Sequence, residues 1–216
     1  MTTTPADETI RKFNIPDGQY SATELTALQK NLDTKRFGIH SIFNNKGQSP
    51  YPGQTTFDRK FAVTSTPALT TQRLQLTRFT AERTESISSM KTIVHGTAAA
   101  TITLIRYGIY SISDSTGDIT LVASTTNDTA LLAATNTAYS KALTTVYTVD
   151  GGRDYYAAVL VVATTQPVLA GITGIAADWA ALPIPSYQVS SQSDLPATVV
   201  FASLVASTML VYTEMV

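Results

Sequence analysis

The stretch from Thr101 to Ala163 restricts what this chain can fold into more than any other. It opens with Thr-Ile-Thr-Leu-Ile-Arg-Tyr-Gly-Ile-Tyr-Ser-Ile, turns through Ser-Asp-Ser-Thr-Gly-Asp and resumes as Ile-Thr-Leu-Val-Ala-Ser. After a looser segment at 127–142 come Leu-Thr-Thr-Val-Tyr-Thr-Val, the turn Asp-Gly-Gly-Arg-Asp and Tyr-Tyr-Ala-Ala-Val-Leu-Val-Val-Ala. β-Branched and aromatic residues suit a pleated surface, and Gly, Asp and Ser clusters interrupt them about every ten residues. This spacing predicts an antiparallel β-sandwich or barrel. Such a fold carries no chemistry of its own, so function must lie in loops, edges or partners.

Composition narrows the function classes. Only 14% of the 216 residues are charged, against about a quarter in ordinary soluble domains. Thr supplies 36 residues, and hydrophobic types make up 44%, enough for a sizeable core. A surface so poor in charge can be shared between copies without burying ions. Fifteen basic residues against sixteen acidic ones leave a net charge of −1. No basic run exists, so there is no electrostatic footprint for nucleic acid. With no cysteine, disulfides and thiolate metal sites are excluded. The start, Met-Thr-Thr-Thr-Pro-Ala-Asp-Glu, lacks the basic and apolar regions of a signal peptide. The most apolar segment, 157–185, is broken by Gln166, Pro167, Asp178 and Pro183, and its longest apolar run is seven residues. A spanning helix needs about twenty, so no membrane partner is expected.

The chain changes character near residue 50. Residues 1–50 hold much of the charge, and Ser21-Ala-Thr-Glu24 has the form of a capping box. Leu25, Leu28 and Leu32 follow at helical spacing, which predicts a helix over 22–33. A stripe that narrow needs cover, so these leucines are the expected assembly contact. The turn formers from Asn44 to Gly53 read as a linker, giving an attachment segment (1–50), a linker (51–56) and a β domain (57–216). Strands are expected near 57–64, 73–81, 87–95, 101–112, 119–124, 143–149, 154–163, 168–172, 198–204 and 207–214. Within 101–112, alternation places Ile102, Leu104, Arg106, Gly108, Tyr110 and Ile112 on one face, and Ile105, Tyr107 and Ile109 on the other. Both faces are largely apolar, as in a central strand. Pro183, Pro185 and Pro196 predict a loop over 183–197.

Four segments carry a family likeness: Leu76-Thr-Arg-Phe-Thr-Ala-Glu-Arg83, Thr97 to Tyr110, Leu121-Val-Ala-Ser-Thr-Thr-Asn-Asp128 and Tyr155 to Val162. Together they resemble a jelly-roll-like β domain of minor tail and fibre proteins of tailed bacteriophages. In that pattern an Arg-x-Gly-Leu-Tyr strand is followed by a polar turn, a Leu-Val-Ala strand, an Asn-Asp-Thr step and a return strand. Ile109 stands where the pattern has Leu, and Leu132 where it has Phe. The likeness covers about residues 70–172. It implies a virion structural protein on tail, baseplate or head, joined to other virion proteins, trimeric like many fibres and spikes, with a host-surface glycan as a further partner. It brings no catalytic residue. A stand-alone carbohydrate-binding module is the alternative.

No catalytic constellation stands out. There is no Gly-x-Ser-x-Gly elbow. The only imidazoles, His40 and His95, sit in no motif with a carboxylate. Glu82 and Glu85 are better explained as ion-pair partners of Arg78 or Arg83 than as a glycosidase pair. Asp114 and Asp118 offer hard oxygens, but the turn lacks the longer acidic ladder of a calcium loop. A hairpin turn with Gly117 in the left-handed region accounts for it. Asp150-Gly-Gly-Arg-Asp154 reads as a second hairpin turn, with both glycines at positive φ. The reading is therefore no enzyme, no cofactor and no metal. Most tyrosines are expected in the core, and adjacent Tyr155 and Tyr156 must face opposite sides of a strand. Trp179 and Tyr187, beside the Pro-rich loop, are the expected exposed ligand contacts.

Overall fold

The computed structural model describes residues 53–62, 66–173 and 184–216. These belong to one compact unit spanning residues 49–216. The expected helix over 22–33, with Leu25, Leu28 and Leu32, lies outside the described residues, as do His40 and Trp179.

The described residues are mainly β, in antiparallel sheets. The long strands are β2 (Arg73–Thr80), β3 (Glu85–Val94), β4 (Ala100–Ile112), β5 (Ile119–Ser124), β6 (Thr137–Val149) and β7 (Asp154–Thr165). Short strands complete the sheets: β1 (Gln54–Thr55), β8 (Gly171–Thr173), β9 (Ser186–Val189), β10 (Thr198–Val199), β11 (Val205–Ala206), β12 (Met209–Val211) and β13 (Thr213–Met215). A four-stranded sheet runs β1-β13-β3-β6, a seven-stranded sheet β10-β5-β4-β7-β2-β9-β11, and β12 pairs with β8.

Strand β7 shows how period-2 alternation builds two cores. Tyr155, Ala157, Val159 and Val161 enter a core shared with Ile87, Met90 and Val94 of β3 and Met215 of β13. Tyr156, Ala158 and Leu160 enter a second core with Leu74 and Leu76 of β2, Val189 of β9 and Val199 of β10. The first core lies between the two larger sheets. The second lies on the other face of the seven-stranded sheet, covered by its own C-terminal strands and loops. Strand β4 is central, as its two apolar faces predict, with β5 on one side and β7 on the other.

Several sequence expectations are corrected. Ile102 packs against the first core and Leu104 against the second, so they do not share a face. The β4–β7 register shifts between Ile102 and Leu104, and one extra residue in a strand reverses the facing of everything beyond it. Asn127 repairs the gap: its Oδ1 accepts the Ile105 amide at 2.9 Å and its Nδ2 donates to the Thr103 carbonyl at 3.0 Å. Gln54 and Thr55, expected in the linker, pair with Met215 and Glu214. No strand covers 57–64 among the described residues. There Arg59–Phe61 forms a 3-10 turn whose Lys60 amide donates to the Asp58 side chain. The expected loop over 183–197 contains β9, because Ser186–Val189 holds no proline and can pair with both β2 and β11. The strand expected at 207–214 splits at Tyr212 into β12 and β13, which belong to different sheets.

Candidate functional site

Two turns and the second core meet at one end of the seven-stranded sheet. The first turn joins β4 to β5. The Ser113 amide donates to the Asp118 carbonyl at 2.8 Å, and the Gly117 amide donates to the Ser113 carbonyl at 2.9 Å. Gly117 lies at φ +75°, the conformation the sequence expectation required. This turn holds no calcium-like arrangement. Asp118 Oδ1 accepts the Phe201 amide at 2.8 Å, whereas the Asp114 side chain is 90% exposed. Among the described residues, no cluster of three or more His, Asp or Glu is placed to hold a metal.

The second turn, 150–153, is a crossing rather than a hairpin. Strand β6 pairs in the four-stranded sheet, while β7 pairs in the seven-stranded one. The two glycines serve different ends. Gly152 adopts φ +84° and its amide donates to the Ala81 carbonyl at 2.7 Å. Gly151 allows close approach: a Cβ there would stand 3.0 Å from Arg83 Cα and from the Thr84 nitrogen. The Tyr155 hydroxyl accepts the Asp150 amide at 3.0 Å and fixes the corner.

Between these turns lies a cleft of about 560 Å³. Its wall is Ile112 with the turn residues 113–117, its opposite wall is Gly152, Arg153 and Asp154, and its floor is Tyr156, Tyr187 and Phe201. The three rings form a chain of edge-on contacts. Tyr156 and Tyr187 centroids are 5.6 Å apart, and Tyr187 and Phe201 centroids 6.3 Å. Tyr156 donates to the Ile184 carbonyl at 2.9 Å. Burial, reinforced by Tyr187, raises its phenol above the ordinary tyrosine value, so the group stays a neutral donor.

The charged groups at the cleft are unequally engaged. Asp154 accepts from Arg78 and from the Thr80 hydroxyl, both at 2.6 Å. Arg153 reaches Asp114 at 3.4 Å and Asp150 at 4.0 Å, with its side chain about half exposed. Ion pairs that long and wet contribute little. Tyr187, expected as an exposed loop residue, is a buried β9 residue, 4% exposed, whose ring forms part of the cleft floor. Arg153 and Phe201 were not singled out by sequence reasoning. Phe201 is 83 residues from Asp118, and nothing local signals that contact.

Elsewhere the expected ion pairing holds for Arg83 and Glu85, at 2.8 Å, while Arg78 pairs with Asp154. Glu85 also accepts from the Gln54 amide at 2.9 Å, and the Glu82 backbone donates to Gln54 Oε1 at 3.0 Å. His95 lies just past β3 and its backbone amide donates to the Val168 carbonyl at 2.8 Å. Tyr107, Tyr110, Tyr155 and Tyr156 are all buried. Tyr155 and Tyr156 point into opposite cores, as expected. No helix among the described residues is long and apolar enough to cross a membrane. The chain matches no protein-family model, and a search of curated proteins finds no relative for it.

Proposed function

We propose that this chain is a non-enzymatic structural protein of a bacteriophage virion, carried on tail, baseplate or head. In this reading its two larger sheets form a β-sandwich of jelly-roll-like character, displayed toward the host surface. Residues 1–50 attach it to other virion proteins through Leu25, Leu28 and Leu32, and the chain assembles as a homotrimer. One observation carries the reading. The four segments that resemble phage tail and fibre domains contribute strands β2, β4, β5 and β7, which are consecutive neighbours in the order β5-β4-β7-β2. A likeness spread over about 100 residues thus falls on one continuous sheet.

Mass spectrometry of purified particles tests it directly. The chain is expected among the virion proteins, and its absence defeats the proposal. Removing residues 1–50 is expected to leave a cooperatively melting β domain that no longer joins the particle. Light scattering of the intact chain is expected to give a trimer mass. A monomer mass, with no symmetric contact in the particle, removes the oligomer from the proposal. The second reading, a carbohydrate-binding module without catalysis, is favoured by the cleft between the two turns, whose aromatic floor and polar walls suit a small ligand.

A further inference from the structure

We infer that the cleft between the β4–β5 turn and the β6–β7 corner is a binding site for a neutral, pyranose-containing saccharide, with the half-buried Phe201 ring as its apolar contact and Arg153 and Asp114 as its polar contacts. The volume, about 560 Å³, lies within the range of about 300–1,000 Å³ typical of small-ligand sites. The floor is aromatic and the walls are hydroxyl and charged groups. A pyranose ring matches both, since it has an apolar C–H face and a rim of hydroxyls that donate and accept.

Charge selects the class. Asp154 is engaged by Arg78 and Thr80 at 2.6 Å, so it is not available as a lone anion. Arg153 and Asp114 are the most loosely held charged groups at the cleft, 3.4 Å apart with 51% and 90% of their side chains exposed, and Arg153 also reaches Asp150 at 4.0 Å. With Asp150 also near the guanidinium, Arg153 and Asp114 present no net positive field to draw an anionic ligand. Vicinal hydroxyls can satisfy both at once, accepting from the guanidinium and donating to the carboxylate. Hydrogen bonds of this charge-assisted kind are the strong ones. Gly152 adds access: no atom lies within 4 Å of where its Cβ would stand, so ligand can approach the backbone there.

The floor is built rather than incidental. Asp118 Oδ1 holds the Phe201 amide at 2.8 Å, and a Cβ on Gly117 would come within 3.0 Å of Phe201 Cδ2. The turn therefore sets the position of the ring that forms the floor. This inference deepens the proposed host-surface role and rests on it only for where the saccharide comes from.

The test is an amide-shift titration of the full chain by nuclear magnetic resonance. The probes are maltose, cellobiose, lactose and mannobiose, with sialyllactose and adenosine as charged and planar comparators. Saturable shifts at residues 112–117 and 151–154 are expected with at least one neutral disaccharide. Arg153→Ala and Asp114→Asn, both at exposed side chains, are expected to weaken that binding by about tenfold each, while the remaining amide spectrum stays unchanged. No saturable shift with any of the four disaccharides overturns the site. So does binding that survives both substitutions, or tighter binding of sialyllactose or adenosine. These outcomes leave the virion proposal to be decided by the composition of purified particles, so the two fail separately.

Discussion

The Thr92 and Tyr107 hydroxyls meet at 2.9 Å inside the core between the two larger sheets, where both residues are fully buried. Thr92 belongs to β3 and Tyr107 to β4, so this bond joins the four-stranded sheet to the seven-stranded one. Removing one hydroxyl strands the other without water. Tyr107→Phe or Thr92→Val alone is expected to cost about 1–3 kcal/mol. The double variant is expected to cost clearly less than the sum, because neither partner is then left unpaired. Urea unfolding of the four proteins measures the cycle, and strict additivity contradicts the coupling.

Alkaline stability follows from the tyrosines. Burial raises Tyr107, Tyr110, Tyr156 and Tyr212 above the ordinary value of 10.0. Above that pH the unfolded chain loses phenolic protons that the native chain keeps. The native state then binds more protons, and stability falls as pH rises. Stability from these groups is therefore complete below about pH 10 and is lost progressively above it. Tyrosinate absorbance from these four is expected to appear together with unfolding rather than ahead of it. A full tyrosinate titration of the still-folded protein contradicts this.

Gly152 and Gly117 share a left-handed backbone but differ in surroundings. At Gly152 an added methyl meets nothing within 4 Å, so Gly152→Ala is expected to cost only the backbone term, about 1–2 kcal/mol. At Gly117 the same methyl also presses on the Phe201 ring. Gly117→Ala is expected to cost more, and to shift the amide signals of Phe201 and its neighbours. Equal thermal midpoints with an unmoved Phe201 count against the turn positioning that ring.

Local pattern made much of this fold legible and long-range pairing did not. Strands β4, β5 and β7 follow directly from dense Thr, Ile, Val and Tyr, and the division of Tyr155 from Tyr156 follows from the pleat. The reversal after Ile102 was not legible, because a bulge depends on what the partner strand offers. Asp150–Asp154 has the composition of a hairpin, yet β7 takes β4 and β2 as partners and leaves β6 to β3. That choice is made by the two cores, not by the turn. The cleft was the least legible part, since its floor and walls come together only in space. Of its residues, Tyr187 alone was anticipated as a ligand contact, and its burial in β9 was not.

Gln75 gives the sharpest test of the buried polar contacts that fasten the C-terminal strands. It is 2% exposed on β2. Its Nε2 lies 2.8 Å from Ser186 Oγ, 2.9 Å from the Met209 carbonyl and 3.1 Å from Ser207 Oγ. One amide thus links β2 to β9, to β12 and to the segment between β11 and β12. Gln75→Leu removes the amide that meets the Ser207 hydroxyl as both donor and acceptor, while the Met209 carbonyl keeps the Ser186 hydroxyl at 2.6 Å, and the expected cost is about 1–3 kcal/mol. Gln75→Glu keeps the shape but places an acceptor opposite the Met209 carbonyl, and an ionised carboxylate there is both desolvated and repelled. It is expected to be the less stable of the two at neutral pH. Burial raises the carboxyl of the folded variant above its unfolded value, so the native state holds a proton that the unfolded chain has released. Stability of Gln75→Glu therefore recovers as pH falls toward about 4.3, the unfolded glutamate value. Gln75→Leu has no such group and supplies the baseline. Urea midpoints of both variants from neutral to mildly acidic pH check this. The gap between them is expected to close on acidification, and a constant gap shows that position 75 is reached by water.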